Sequence, residues 1–414
     1  MIRLIEALHY RCLLDVHQRL GDFHVLVGPN AAGKTTFLDV IAFLGQVVSE
    51  DLEAAVHERT QNYQDLVWQR KKDHFELSVE LEIPESRRNA LKNKEFDLVR
   101  YELSVGQDGD ELAILAEKVL LKKSPVTREY AIKELFPEEV AARKTILTTK
   151  GMKYTQTIVN KVHSGNDNFY DETGKGWDHA FKLGPRKSAL GNLPEDESKF
   201  PVATWLKDAL INGVQRLNLN SLLMRRPSPP GQPRGFRPDG SNLPWVIDTL
   251  KKNHPEKFQD WVDHLKTALP DIENICTIER PEDRHRYLVV NYRDRLAVPS
   301  WMVSDGTLRL LALTLPSYLP ELGGIFLIEE PENGIHPRAV ESLFQSLSSV
   351  YGAQILMATH SPVILSVADA SQVLCFSKTN VGATDIVNGR NHPALRNWKG
   401  EENLGVLFAG GVLG

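Results

Sequence analysis

Gly28–Thr35 reads G-P-N-A-A-G-K-T, preceded by the apolar run F-H-V-L-V and followed by T-F-L-D-V-I-A-F-L-G. Glycines at both ends let a backbone wrap an anion without Cβ clashes, its amide N–H groups pointing inward. The spacing predicts a strand over 22–28 and a helix after Thr35, whose positive end adds to the anion site. Pro29, Asn30, Ala31 and Ala32 complete the loop between Gly28 and Gly33, and Thr36 follows it. Lys34 is placed to reach β- and γ-phosphates, and the Thr35 hydroxyl to ligate Mg²⁺. These residues predict a cradle for ATP and Mg²⁺.

Three more motifs follow in order: S-D-G-T-L-R at Ser304–Arg309, I-F-L-I-E-E-P at Ile325–Pro331, and M-A-T-H-S-P at Met357–Pro362. Ile325–Ile328 is a four-residue apolar run, as in a buried parallel strand. Glu329 and Glu330 end it, the first suited to hold a metal through water, the second to position the attacking water. His360, after the strand Gln354–Thr359, is placed to hydrogen-bond a γ-phosphate. Ser304, Asp305, Gly306 and Thr307 open a helix and offer a hydroxyl and amides to a second anion.

Strands are also predicted over 2–9, 98–105, 112–121 and 287–292, with helices over 244–253, 256–269, 306–318 and 340–350. Phe75–Ile83 alternates apolar and polar residues, as a half-buried strand does. From about residue 122 to 240 the period is lost. Within that stretch Arg225–Gly240, rich in Pro and Arg, reads as a mobile loop. The chain therefore divides into an ATPase part with the P-loop (1–121), an insertion with that loop (122–240), a helical lobe with Ser304 (241–320), and a second ATPase part (321–414).

With 414 residues, 42% of them hydrophobic, there is ample material for two or three cores. Lys and Arg number 49 against 54 Asp and Glu, so the net charge of −5 supplies no global attraction for nucleic acid. Cys12, Cys276 and Cys375 are too scattered for a disulfide framework or a zinc site, which suits a reducing cytoplasm. No run approaches the roughly 20 apolar residues of a membrane helix, and no leader peptide is visible at the N-terminus. A soluble, cytoplasmic protein is expected.

These motifs, with Y-R-C-L-L-D at 10–15, D-G-S-N-L-P at 239–244, E-E-P-E-N-G-I-H-P-R at 329–338 and the closing L-G-V-L-F-A-G-G-V-L-G, resemble the ABC-type ATPases of the RecF, SMC and OLD-like group. More narrowly they resemble stand-alone AAA-family ATPases related to abortive-infection and phage-defence proteins. The resemblance implies an α/β fold: a P-loop NTPase of ABC-ATPase type, with a two-lobed head and a large mixed α/β insertion. It implies a homodimer closed around ATP, with Ser304 and Gly306 acting in trans and Asn333 at the seam. It places Arg11 against nucleotide and calls for a metal-site glutamine, for which Gln64 and Gln69 are both candidates. Two positions depart from the group: Glu329 stands where many relatives have Asp, and S-D-G-T replaces the S-G-G-Q of transporters.

The motifs favour an ATP-hydrolysing, dimerising sensor that works with a separate effector, a nuclease or a toxin. A RecF-like clamp on duplex DNA is the alternative, with Arg225, Arg226, Arg234 and Arg237 as its phosphate contacts. A scaffold that binds ATP without turnover is a third expectation. Higher assembly beyond the dimer stays open.

Overall fold

The computed structural model describes residues 1–124, 133–139, 141–149, 151, 154–233, 235–320, 322–395 and 403–413. They fall into two compact units, one drawn from Met1–Val214, Ala370–Trp398 and Leu413–Gly414, the other from Gln215–Asp369 and Lys399–Val412. No helix among the described residues is long and apolar enough to cross a membrane.

The first unit contains an eight-stranded antiparallel sheet and a smaller three-strand group. The large sheet runs β2 (Leu13–Arg19), β1 (Ile2–Tyr10), β4 (His74–Glu82), β5 (Leu98–Asp108), β6 (Glu111–Lys122), β7 (Thr155–Val162), β8 (Asp167–Phe169) and β9 (His179–Phe181). The smaller group pairs β3 (Phe23–Val27) in parallel with β16 (Val373–Lys378), which pairs antiparallel with β17 (Thr384–Asn388). Helix α1 (Lys34–Ser49) follows β3 and buries eleven of its sixteen residues. Its Phe43 packs against Tyr10 and Phe75 of the large sheet, ring centroids 5.8 and 5.6 Å away, and its Phe37 meets Phe376 of β16 at 5.6 Å. Aromatic pairs at these separations add directional attraction to their burial. Short helices α2 (Leu52–His57) and α3 (Glu85–Arg88) follow α1 and β4 in the chain.

The alternation of β4 predicts one solvated face, and the structure covers both. Glu76, Ser78 and Glu80 are buried like their apolar neighbours. Arg100 satisfies this face, its guanidinium within 2.6 Å of Glu6 and Glu102 and 3.1 Å of Glu80. Residues 145–148 then lie over it: Ile146 N donates to Glu76 at 2.7 Å and Thr148 N to Glu102 at 2.9 Å. Paired and hydrogen-bonded carboxylates can be buried where lone ones cannot. A segment remote in sequence supplies the cover, so local alternation misses it.

Helix α4 (Pro201–Ile211) also lies in the stretch without visible period. Glu172, 1% exposed, accepts from the Val202 and Ala203 amides at 2.7 and 2.9 Å and so caps it. Burial pushes the Glu172 carboxyl up to about 7 although both amides pull it down.

The second unit holds β10 (Val214–Leu217, from Gln215 onward), α5 (Ser221–Met224), α6 (Leu243–Asn253) and α7 (Pro255–Ala268). Next come the antiparallel sheet β11 (Ile272–Glu279), β12 (Arg286–Tyr292) and β13 (Leu296–Pro299), then α8 (Asp305–Thr314). Strand β14 (Gly324–Glu329), α9 (Pro337–Ser348) and β15 (Ala353–Ala358) form a crossover whose strands pair in parallel, as the apolar runs predict. Helices α10 (Pro362–Val367) and α11 (Leu404–Ala409) complete the unit. The helix expected over 306–318 stops at Thr314, where Pro316 forces a 3₁₀ turn.

The Arg225–Gly240 segment carries tethers that its composition does not reveal. Asn242, fully buried, donates to Gly235 O at 2.7 Å and accepts from Arg237 N at 2.9 Å. Ser228 bridges to Arg286, and Phe236 is buried.

Candidate nucleotide site

The P-loop lies in the first unit, between β3 and α1. Gly28 and Gly33 have φ of 145° and 104°, and Ala31 adopts the left-handed region at 60°. A Cβ on Gly28 would stand 2.1 Å from the Phe376 carbonyl oxygen, and one on Gly33 would stand 2.3 Å from Thr384 Oγ1. Neither position admits a side chain. Thr384 Oγ1 donates to Ala32 O at 2.9 Å, and Thr384 N donates to Cys12 O at 2.9 Å. Thr384 of β17 thus ties the loop to the β1–β2 turn.

Lys34 is buried, and its Nζ donates to Gly28 O and Pro29 O at 2.8 and 3.0 Å. The ammonium is aimed along the inner line of the loop. Pro29, Asn30, Ala31 and Thr35 are exposed at its rim, and Thr36 is half-buried. Gly33, the N-cap, offers no side chain to the first-turn amides of α1, which therefore point out of the helix end.

Arg11 sits in the β1–β2 turn at φ 50°, fixed by a 2.8 Å bond from its amide to Leu66 O. Its guanidinium lies 3.3 Å from Asp39 of α1. Asp39 also accepts from Tyr10 at 2.6 Å and pairs with Arg59 at 2.7 Å. The two candidate glutamines differ: Gln64 donates to Gln107 at 3.2 Å, whereas Gln69 donates to Val381 O at 3.2 Å from left-handed backbone at φ 49°.

The remaining candidates lie in the second unit. β14 ends at Glu329, and Glu330 turns into the left-handed region at φ 47° while its amide donates to Ala358 O at 2.8 Å. Such a conformation in a non-glycine residue costs on the order of 1–3 kcal/mol and is concentrated at working sites. The Asn333 amide group donates to Glu330 Oε2, and Arg216 donates to Glu329 Oε1. Glu332 ties the next turn to the end of β15, accepting from Thr359 Oγ1 at 2.6 Å and from His360 N at 3.1 Å.

Ser304 caps α8, its Oγ accepting from Thr307 N at 3.2 Å, and both Ser304 and Asp305 are exposed. A Cβ on Gly306 would meet Gly334 O at 2.2 Å, so the start of α8 rests on the E-N-G-I turn. Ser304, Gly306, Asn333 and Glu330 are therefore linked through one turn. Arg225 is committed nearby, donating to Val303 O at 3.3 Å while its own carbonyl accepts from Ser300. Of the four arginines expected to contact DNA phosphates, Arg225 is thus engaged and Arg234 lies outside the described residues.

The proposed magnesium ligands, the Thr35 hydroxyl and the Glu329 carboxylate, are hard oxygen donors of the kind Mg²⁺ takes beside phosphate oxygens and waters. Among the described residues no cluster of three or more His, Cys, Asp or Glu forms a protein-only metal cage. Each of these two oxygens, one in either unit, is by itself a donor type that Mg²⁺ accepts.

Three supporting residues carry little or no signal in the sequence. Thr384 lies 352 positions from its partner, Arg216 sits in a stretch without visible period, and Glu332 was overshadowed by the adjacent pair Glu329 and Glu330. Only Glu332 carried a usable signal, as a third acid within E-E-P-E-N-G.

Sheet layout, P-loop and carboxylate-terminated parallel strand together define an ABC-type P-loop ATPase head. The chain belongs to the family described as "AAA domain, putative AbiEii toxin, Type IV TA system", whose profile matches residues 23–366. No curated protein matches it. Among solved structures, the Smc head bound to the C-winged helix domain of ScpA has a TM-score of 0.53 at 14% identity, covering 93% of this chain and 97% of that one. An Smc head with an extended coiled coil bound to the C-terminal domain of ScpA, from Pyrococcus furiosus, has a TM-score of 0.49 at 13% identity, covering 93% and 95%. The SMC head domain from Thermotoga maritima has 0.41 at 9% identity, covering 94% and 98%.

Proposed function

We propose that this chain binds ATP with Mg²⁺, hydrolyses it, and uses the cycle to bring two copies together as a sensor in a phage-defence or abortive-infection system. The observation that carries the reading is the P-loop itself: two glycines at positive φ where no Cβ fits, and a buried Lys34 turned along the loop. That arrangement has amides and an ammonium ready for a triphosphate.

Lys34 draws the β- and γ-phosphates, and Arg11 faces the nucleotide from the β1–β2 turn. Thr35 and Glu329 hold the Mg²⁺, which neutralises phosphate charge. Glu330 orients the attacking water, its carboxylate held by Asn333. His360 hydrogen-bonds the γ-phosphate. Ser304, Asp305, Gly306 and Thr307 of a second copy close the site. Gln64 or Gln69 completes the metal shell. The family's type IV toxin–antitoxin description supports a defence role with a separate effector or partner protein. The engagement of Arg225 with Val303 subtracts from the basic cluster a DNA clamp would use.

Lys34→Ala tests the reading. Affinity for a fluorescent ATP analogue should fall below detection in the variant, and an unchanged affinity would overturn the P-loop assignment.

A further inference from the structure

Arg216 is an unassigned charge at the end of the carboxylate strand. It stands on β10, the neighbour of β14, and its guanidinium donates to Glu329 Oε1. The Arg216 side chain is 55% exposed and that of Glu329 27%. An ion pair this exposed adds little to stability, so its consequence is geometric. Glutamate has one more rotatable bond than the aspartate of many relatives, and its carboxylate sweeps a wider arc. A guanidinium bonded to Oε1 fixes that rotamer and hence the direction of the acceptor lone pairs. Hydrogen-bond partners of this kind orient metal-ligating carboxylates in general. Arginine keeps its charge at any physiological pH, and its planar fork holds a carboxylate by direction as well as by charge.

Building on the assignment of Glu329 as the metal-side carboxylate, we propose that Arg216 is a positioning residue that aims this carboxylate at the nucleotide-borne Mg²⁺. The longer Glu329 and the arginine beside it form one device: the extra carbon brings the carboxylate within reach of β10, and β10 returns it to a single direction.

Mn²⁺ titration of the full chain with saturating ADP, followed by electron paramagnetic resonance, reads metal affinity directly. Fluorescent-nucleotide binding in EDTA reads the P-loop alone. Arg216→Ala should weaken Mn²⁺ binding about 10- to 100-fold and leave affinity in EDTA unchanged. Arg216→Lys should recover part of the loss. In a Glu329→Asp background, where the carboxylate withdraws from β10, Arg216→Ala should cause no further loss. Undiminished Mn²⁺ affinity in Arg216→Ala, or an equal loss in the Asp background, would overturn the proposal. If Glu329→Ala keeps full Mn²⁺ affinity while Lys34→Ala loses nucleotide, the metal-side assignment falls, and Arg216's role with it, but the P-loop reading stands.

Discussion

Thr384 Oγ1 donates to Ala32 O at 2.9 Å, so a hydroxyl on β17 holds the P-loop from 352 residues away. The same hydroxyl fills the space that a Cβ on Gly33 would need. The loop's shape is therefore set jointly by its own glycines and by a strand near the other end of the chain.

Thr384→Val keeps the shape and removes the donor. Leaving the buried Ala32 carbonyl without it costs about 1–2 kcal/mol. The melting temperature should fall in step with that cost, and nucleotide affinity should fall as the loop loosens, as measured by thermal denaturation beside isothermal titration. Full affinity would show that the loop holds its form unaided.

Ser304→Arg places a long cation on the exposed cap of α8. Nucleotide binding by the single chain should persist, because Lys34 is untouched. Turnover and ATP-dependent dimerisation should both be lost, by phosphate release and by light scattering after size exclusion. Normal turnover would contradict completion of the site by a second copy.

Glu172 gives a pH prediction of definite sign. Its carboxyl is pushed from 4.5 up to about 7 by burial. A folded-state value above the unfolded one stabilises fully below the unfolded value, and that contribution is lost as pH rises through about 7. The loss is on the order of 3 kcal/mol. Glu172→Gln removes this titration, so its melting temperature relative to the native chain should climb between pH 5 and pH 8. A difference that stays flat across that window would show that the two amides hold the carboxylate ionised throughout.

Local pattern made much of this molecule legible. The glycine spacing of Gly28–Thr35 and the apolar run ending at Glu329 announce a strand–loop–helix and a parallel strand, and both are present. Long-range satisfaction was not legible. The polar face of β4 reads as solvated because its cover, residues 145–148, comes from elsewhere in the chain. Helix α4 lacks a capping side chain of its own, and a glutamate 29 residues before its first residue does that work. The composition of Arg225–Gly240 suggests freedom, yet Asn242 binds it from outside the segment. The sequence resemblance gives Asn333 only a place at the seam, and its bond to Glu330 emerges only once the E-N-G turn is built.

The central claim is that Glu330 activates water for ATP hydrolysis in a site completed by a second copy. Glu330→Gln tests it most directly, with hydrolysis and mass measured on the same sample with ATP and Mg²⁺. The account predicts turnover reduced at least about 100-fold and a stable ATP-bound dimer. Turnover at the native rate, or a chain that stays monomeric with ATP bound, would contradict it.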